Sequence, residues 1–462
     1  MKELLIISLI GIAVLAADIL KLRKLIFPLI ALGLLGNVVC SIVDWGHNEV
    51  PFAQYGGMLL FDNLALAFNI VLSVIALFWF ILTADYFKVD SEKRTDLYAL
   101  ALFSLCGAVV MVSFSNMMML FLGLEILSIP LYVLAASEKR NILSNEAGFK
   151  YFFLGSLASA IILFGIALIY GSTGSFDLAT IASKIAVIGN DSALLTVGVT
   201  MIVAGFAFKI SVAPFHLWAP DVYQGAPTVI TAFMATIVKA AAFAALYKLF
   251  NGALAGMSEK FMTAFAIMSA ITLIVANIIA SVQVNSKRLL AYSSISHAGF
   301  MLGFVMMSAQ VPGKYLLFYV LAYSIASLTA FGALHHVSSA QMGEESTNAF
   351  KGLVKRNPMM AGAMTLALLS MAGIPPLSGF LAKYFVIKGV LNGGHLWLVI
   401  IMILSSVVAM YYYLKLIMAM FTPIENAGRI VVNKSQQILY GVFAVLLIAL
   451  FFGAGVLEWV QF

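Results

Sequence analysis

The stretch that decides the fold is residues 204–225, AGFAFKISVAPFHLWAPDVYQG. It begins as an apolar helix that carries Lys209, and Pro214 interrupts that helix five residues later. Inside a membrane a lysine and a broken helix are both costly, and both are tolerated where the chain lines a polar cavity or is buried in protein. The combination predicts an ion-handling site. A second proline pair, Pro375–Pro376, followed by Lys383, repeats the arrangement farther along the chain.

Composition indicates that the solvent of this protein is lipid. Of the 462 residues, 63% are hydrophobic and only 10% are charged, and the mean hydropathy is +1.05. No soluble domain is that apolar. The net charge of +6 belongs to loops and does not indicate nucleic acid as a partner. Because no Gly-rich phosphate loop or Cys/His metal spacing occurs, no cofactor is expected in this chain.

Apolar runs of about 20 residues, the length that crosses a bilayer as a helix, recur along the whole chain. They predict an all-α integral membrane protein with fourteen transmembrane helices, two of them broken. The region 172–190 is weakly apolar and is interpreted as a loop or a short amphipathic helix. The predicted spans are 4–20, 25–43, 58–83, 97–114, 116–136, 147–171, 191–213 with a broken continuation to about 225, 228–250, 260–281, 288–308, 314–337, 359–391, 395–421 and 436–457.

The distribution of Lys and Arg predicts the orientation in the membrane. Loops after odd-numbered spans carry fifteen basic residues and the opposite loops carry five, so the odd loops are expected in the cytoplasm and both termini outside. The fifteen are Lys21, Arg23, Lys24, Lys88, Lys93, Arg94, Lys139, Arg140, Lys287, Arg288, Lys351, Lys355, Arg356, Arg429 and Lys434. The five are Lys2, Lys184, Lys248, Lys260 and Lys314.

The remaining six basic residues fall inside predicted spans, whereas Glu125 is the one acid near the middle of a span. There are too few carboxylates to pair with these lysines, so structural ion pairing does not explain them. The six are Lys150, Lys209, Lys239, Lys383, Lys388 and Lys415.

Helix counting also predicts internal repeats. Spans four to eight and nine to thirteen each form a block of five helices whose fourth member is interrupted by proline. An odd number of helices makes consecutive blocks antiparallel, which is the inverted-repeat arrangement of transporters. The predicted boundaries are 1–96 for the first three helices, 97–250 and 251–421 for the two repeats, and 422–462 for the last helix.

Glu125 and Lys209 are the first candidates for function. An intramembrane carboxylate or lysine is a functional candidate by default, and Lys209 is the obvious partner of Glu125. A structural ion pair is the alternative for Glu125, and snorkelling to an interface is the alternative for Lys209. Movement of Glu125 towards or away from Lys209 would switch the proton affinity of the lysine, which makes the pair a plausible coupling element.

Further candidates for a proton relay follow along the chain. Lys239 is too far from either end of its span to snorkel, Lys383 follows the second break, and His216 and His297 carry the side chain best suited to passing protons. Each has a structural alternative: a packed lysine, or a histidine or serine that satisfies backbone carbonyls. Lys150 lies near the start of its span, where a relay and snorkelling are equally good interpretations. His335, His336, Lys388 and Lys415 are expected near interfaces, with an inward position as the alternative for His335.

Four motifs resemble the antiporter-like proton-pumping subunits of respiratory complex I, a family that includes subunits of cation/proton antiporters and membrane hydrogenases. They are GLEILSIPLYVLAA, FKISVAPFHLWAPDVYQGAPT, YSSISHAGFMLG and MAGIPPLSGFLAKYFV. The resemblance covers nearly the whole chain and is strongest from 116 to 390. Lys383 and the end of the chain just after the last span make it similar to the smallest of the three antiporter-like subunits.

The resemblance implies residue roles and partners. Glu125 and Lys209 look like the coupling pair, Lys239 like the central lysine with His216 as its neighbouring relay, Lys383 like the lysine near the exit, and Lys150 like a further lysine of the route. NADH, FMN, iron–sulfur clusters and quinone are then expected in partner subunits. The expected partners are other membrane-arm subunits, including antiporter-like paralogues and small membrane subunits.

The resulting interpretation is a proton-translocating subunit of a respiratory NADH:quinone oxidoreductase in a bacterial plasma membrane. A subunit of a cation/proton antiporter without a redox partner is the first alternative. A structural membrane anchor is the second, and the buried lysines argue against it because an anchor gains nothing from them.

Overall fold

A computed structural model describes residues 2–46, 57–86, 95–189, 192–424 and 428–459. The regular secondary structure of these residues is helical, and mostly α-helical, apart from isolated single-residue bridges. The helices are α1 Lys2–Ile19, α2 Ile26–Val43, α3 Asn63–Leu82, α4 Thr95–Ser113, α5 Met117–Ala135, α6 Ile142–Thr173, α7 Leu178–Ile188, α8 Ala193–Lys209, α9 Trp218–Gly225, α10 Thr228–Phe233, α11 Lys239–Asn251, α12 Ser258–Val282, α13 Ser286–Met306, α14 Gly313–Ala340, α15 Leu353–Arg356, α16 Pro358–Ala372, α17 Ser378–Asn392, α18 Leu396–Phe421 and α19 Lys434–Phe452.

Every predicted span corresponds to a helix or to a pair of half-helices. Eleven helical segments in the described part of the chain are long and apolar enough to cross a membrane, and α8 and α16 are shorter apolar helices next to the predicted breaks. The segment 172–190 contains the amphipathic helix α7. Lys88, Lys93 and Arg94, which contributed to the predicted orientation, lie outside the described residues.

Many helices begin at a side chain that accepts a backbone N–H, as the termini of helices require. Asn116 caps α5 and Asp177 caps α7, and an antiparallel bridge also joins these two residues. Asn285 caps α13 and is bridged in the same way to Ser346. The starts of α5 and α13 are therefore built alike, each tied to the segment that follows the next long helix.

The centre of the bundle consists of α10, α11, α13 and α14. The segment from α10 to α11 and helix α13 are enclosed completely, whereas α2, α6, α18 and α19 leave most of their surface uncovered. The uncovered residues are mainly Leu, Ile, Val and Phe, which suits lipid or other apolar helices as neighbours. The indole Nε1–H of Trp79 donates to the carbonyl of Val229 (2.7 Å) and fixes α3 against the start of α10. The polar side chains at the centre are consequently enclosed by the remaining helices.

Candidate functional site: a buried series of lysine, histidine and hydroxyl groups

The first break separates α8 from α9. Helix α8 ends at Lys209, because Ser211 has a positive φ of 60° and Pro214 has no N–H for a helical hydrogen bond. Trp218 folds back over the break, because its ring stacks on Phe208 (4.9 Å between centroids) and its Nε1–H donates to the Phe208 carbonyl (3.0 Å). The N–H of Ala213 donates to the hydroxyl of Thr272 on α12 (2.9 Å). Partners outside the helix therefore satisfy the backbone groups freed by the break.

Lys209 is the last residue of α8 and is almost fully buried. Its Nζ donates to the hydroxyl of Ser128 (2.8 Å) and to the hydroxyl of Tyr132 (3.3 Å), both on α5. Glu125 lies one turn before Ser128 on the same helix, but no ion pair within 4 Å joins it to Lys209 among the described residues. Its Oε1 is buried without a hydrogen-bond partner. Lys209 thus contacts the helix that carries Glu125, but its ammonium is hydrogen-bonded to hydroxyl groups and not to the carboxylate.

His216 lies in the turn between α8 and α9 and is buried. Both of its ring nitrogens lack a hydrogen-bond partner within the part of the chain that the structure describes. Because a buried imidazole normally has a hydrogen-bond partner, the two free nitrogens of His216 are available to a proton donor or acceptor. The alternative interpretation, a histidine bonded to unwound backbone, does not describe this side chain.

Lys239 begins α11, directly after a π-helical turn at Met234–Val238. Such turns are rare and frequently mark functional sites. The buried Nζ of Lys239 donates to the carbonyl of Ser294 (2.6 Å) and lies 2.5 Å from its hydroxyl. That hydroxyl also accepts from Tyr323 of α14 (2.9 Å). Lys239 is therefore linked through one serine to a tyrosine on the neighbouring helix.

His297 follows Ser294 by one turn of α13 and is held between two tyrosines. Its Nδ1 lies 2.8 Å from the hydroxyl of Tyr319, and its Nε2 lies 3.4 Å from the hydroxyl of Tyr413 on α18. The ring of Tyr323, which contacts Ser294, is 4.9 Å from the imidazole ring. His297 consequently lies immediately beyond the group that binds Lys239.

The second break lies between α16 and α17 and includes the cis peptide Pro375–Pro376. Gly373 ends α16 with a φ of 90°, a conformation that favours glycine. Lys383 of α17 reaches back across the break, and its Nζ donates to the carbonyl of Ala372 (3.0 Å) and to the hydroxyl of Ser406 (3.4 Å). The same Nζ lies 4.9 Å from the ring centre of Phe300. A small cavity between α13, α14, α16 and α17 is lined by His297, Ser370, Gly379 and Ala382, among others.

The structure does not bring Lys150 into this series. Its side chain is 38% exposed and forms ion pairs with Glu146 (2.7 Å) and Asp221 (3.2 Å) at one end of the bundle. Arg288 holds the other oxygen of Asp221 at 2.8 Å. Of the two interpretations that the sequence left open, the geometry favours an interfacial lysine. Lys388 is exposed.

Sequence reasoning placed Lys287 in a loop, but this residue is buried at the start of α13. Its Nζ donates to the carbonyl of Ala226 (2.7 Å) and pairs with Glu345 (3.1 Å). These residues line an open cavity together with His335 and His336. Its partner Glu345 is 58 positions away, so the pairing leaves no local signal in the sequence.

Comparison with known proteins defines the family. A family described as "NADH:quinone oxidoreductase/Mrp antiporter, TM" matches residues 115–409. The NADH-quinone oxidoreductase subunit N of Cytophaga hutchinsonii is 44% identical over 429 residues, which cover 92% of this chain and 91% of that protein. The chain belongs to the subunit N family. This confirms the predicted likeness to the smallest antiporter-like subunit and the status of the chain as a subunit of NADH-quinone oxidoreductase.

Comparison with solved structures shows that the similarity covers the whole fold. A chain of respiratory complex I from Thermus thermophilus is similar with a TM-score of 0.85 and 32% identity, covering 99% of this chain and 98% of that one. A chain of the Mrp complex from Dietzia sp. has a TM-score of 0.86 at 19% identity, with coverages of 99% and 95%, and shows a shared fold alone. The protein is a multi-pass membrane subunit of bacterial complex I, with the antiporter-like fold that the sequence predicted.

Proposed function

We propose that this subunit translocates protons and thereby couples the reduction of quinone by NADH to proton pumping. The observation that supports the proposal is the burial and hydrogen bonding of three lysines, Lys209, Lys239 and Lys383. All three are buried, and none forms an ion pair with a described carboxylate; each donates instead to hydroxyl or carbonyl oxygens. A buried lysine is costly, and one without a carboxylate partner is suited to gaining and losing its proton.

The proposed route passes from Lys209 through His216 to Lys239, and from there through His297 to Lys383. The link from Lys239 to Ser294 and the position of His297 one turn later support the middle of this route. The unpaired nitrogens of His216 support its role as a relay beside the first break. Lys150 is not part of the proposed route.

Glu125 is the proposed coupling group. Its buried, unpaired Oε1 lies on the α5 face that already holds the Lys209 ammonium through Ser128 and Tyr132. A change in the charge of Glu125, set by a neighbouring subunit, alters the electrostatic cost of a protonated Lys209 in this low-dielectric surrounding. Proton affinities alternate in this way without a large rocking motion of the helices.

The chain is proposed to consist of two inverted repeats, 97–250 and 251–421, between an N-terminal part, 1–96, and a C-terminal helix, 422–462. The matched breaks after α8 and α16 support this division. So do the matched bridges, which join the caps of α5 and α7 in one half and Asn285 to Ser346 in the other. The proposed orientation places the odd-numbered loops in the cytoplasm and both termini outside.

Cofactors and electron transfer belong, in this proposal, to partner subunits that contain NADH, FMN, iron–sulfur clusters and quinone sites. The immediate neighbours are antiporter-like paralogues and small membrane subunits of the membrane arm, which lies in the plasma membrane. The relatives named NADH-quinone oxidoreductase subunit N support this assignment.

The decisive experiment measures NADH oxidation and proton pumping side by side in membranes that carry Lys209→Ala, with Lys239→Ala as a second variant. Normal assembly with both activities depressed is the expected result, because a blocked coupled pump slows its redox partner. Lys388→Ala, which removes an exposed lysine, is the matched control and should retain both activities. If NADH oxidation persists and only cation/proton exchange is lost, the chain works as an antiporter subunit. Wild-type proton/electron ratios in Lys239→Ala complexes would remove Lys239 from the route.

A further inference from the structure

Helix α18 carries two hydroxyl groups on one face at positions that contact the last two members of the proposed route. Ser406 and Tyr413 are seven residues apart, so they lie on the same side of the helix and about 10 Å apart along its axis. Small Ala409 lies between them and is buried. This face, defined by Ser406, Ala409 and Tyr413, is called the hydroxyl face of α18.

Tyr413 occupies the His297 end of the hydroxyl face. Its hydroxyl lies 2.5 Å from the hydroxyl of Ser293 and 3.4 Å from Nε2 of His297. Tyr413 is buried, and so are both of its partners. The other imidazole nitrogen, Nδ1, already has the hydroxyl of Tyr319 at 2.8 Å. Tyr413 is therefore the group through which Nε2 of His297 meets α18.

Ser406 occupies the opposite end and accepts from Nζ of Lys383 (3.4 Å), while its own hydroxyl donates to the carbonyl of Met402 (3.1 Å). The only other oxygen that Lys383 contacts among the described residues is the carbonyl of Ala372, which has no proton to pass on. The hydroxyl of Ser406 is thus the group on α18 that is hydrogen-bonded to Lys383 and carries an exchangeable proton.

We propose that Tyr413 and Ser406 are relay residues that carry protons between His297 and Lys383 along the hydroxyl face of α18. The inference rests on the proposed function and deepens it. Because the two hydroxyl groups are about 10 Å apart, the proposed relay requires about three waters between them, at the usual spacing of ~2.8 Å between oxygens. The proton leaving protonated His297 binds the oxygen of Tyr413, which releases its own proton towards the waters. Ser406 repeats the exchange, and one proton arrives at neutral Lys383 with no electron transferred.

The adjacent column of α18 provides matched controls. Tyr412 and Ser405 have the same spacing and the same residue types, one position earlier. Both are buried; the hydroxyl of Tyr412 donates to Oδ1 of Asn277 (3.0 Å), and its ring lies 4.5 Å from that of Tyr413. Each control variant removes a buried hydroxyl of the same residue type from the same helix, so a difference between the columns reports on the contacts of Tyr413 and Ser406 with His297 and Lys383.

The test compares Tyr413→Phe with Tyr412→Phe, and Ser406→Ala with Ser405→Ala, in the assembled complex in membrane vesicles. The rate of NADH-driven proton uptake is measured per assembled complex, together with the ratio of protons to NADH. Tyr413→Phe is expected to lower the uptake rate about tenfold or more, since a positioned proton-transfer group contributes roughly 10²- to 10⁴-fold. Ser406→Ala should act in the same direction, and the two control variants should pump like the wild type.

Equal pumping by Tyr413→Phe and the wild type would overturn the inference, as would equal losses in both columns. Should Tyr413→Phe fail to assemble, Ser406→Ala decides the question alone. Lys383→Ala separates the two levels of the argument. If Lys383→Ala stops pumping and the hydroxyl variants do not, the route avoids α18 and the proposed function stands. If Lys383→Ala and Lys239→Ala both pump normally, the proposed function itself is wrong.

Discussion

Replacing Gly379 by alanine is expected to disable Lys383 without removing any titratable group. Gly379 lies in the first turn of α17, where its N–H donates to the hydroxyl of Ser370 on α16 (3.0 Å). A Cβ built on Gly379 would lie 1.9 Å from the Ser370 carbonyl oxygen. Because the obstacle is backbone in a closely packed interior, the two half-helices must move apart.

The size of the effect follows from the distances. Ordinary contact of a Cβ begins at 3.4 Å, so the shift is about 1.5 Å (3.4 − 1.9). Lys383 lies one turn farther along α17 and donates across the same gap to Ala372 at 3.0 Å; that bond would open to about 4.5 Å. A hydrogen bond of a charged group contributes roughly 1.5–3 kcal/mol, which corresponds to about 10- to 150-fold in rate if it appears fully in the barrier.

The assay is NADH-driven quenching of a pH-sensitive dye in membrane vesicles, normalised to the amount of assembled complex on a native gel. Gly362→Ala on α16 is the control, because a Cβ there meets nothing within 4 Å. Slow pumping in Gly379→Ala beside normal pumping in Gly362→Ala is the expected pair of results. Assembled Gly379→Ala complexes that pump at the wild-type rate would refute the reasoning.

Three further variants test other contacts. Trp218→Phe keeps the ring stack but loses the Nε1–H bond to Phe208, and it should cost about 1 kcal/mol, seen as a shorter half-life of NADH oxidation on heating. Thr272→Val leaves the Ala213 N–H unpaired and should cost about 1–3 kcal/mol in the same measurement; an unchanged half-life would contradict the assigned bond. Lys150→Met removes exposed ion pairs, so stability should change by less than about 1 kcal/mol and pumping should persist, whereas lost pumping would return Lys150 to the route.

The spans, the two breaks and the buried lysines could be predicted because a bilayer strongly restricts which sequences can cross it. The spans satisfy its demand for apolar helices, whereas the breaks and the lysines are exceptions that stand out. An apolar run of sufficient length has to be a helix, and Lys239 in the middle of such a run has to face protein. The family motifs around Lys209 and Lys383 added the subunit type. These signals are local in the sequence, so they do not depend on how the helices pack.

The partners of the lysines were not predictable, because they depend on packing between distant helices. Glu125 was expected to pair with Lys209, but Ser128 and Tyr132 on the same helix face receive the ammonium. Tyr413 carries no sign in the sequence that it meets His297, 116 positions away. Tyr412 and Ser405 have the same spacing as Tyr413 and Ser406, so periodicity alone cannot choose between the two columns of α18.

The second helix break gives one buried lysine a substitute for a carboxylate. The ammonium of Lys383 binds the carbonyl of Ala372, the last residue of α16. The aligned peptide dipoles of a helix place about half a negative charge at its C-terminal end. By ending α16 beside Lys383, the fold supplies this lysine with a partial counter-charge made of backbone. Unlike a carboxylate, that counter-charge cannot be neutralised by the protons that pass it.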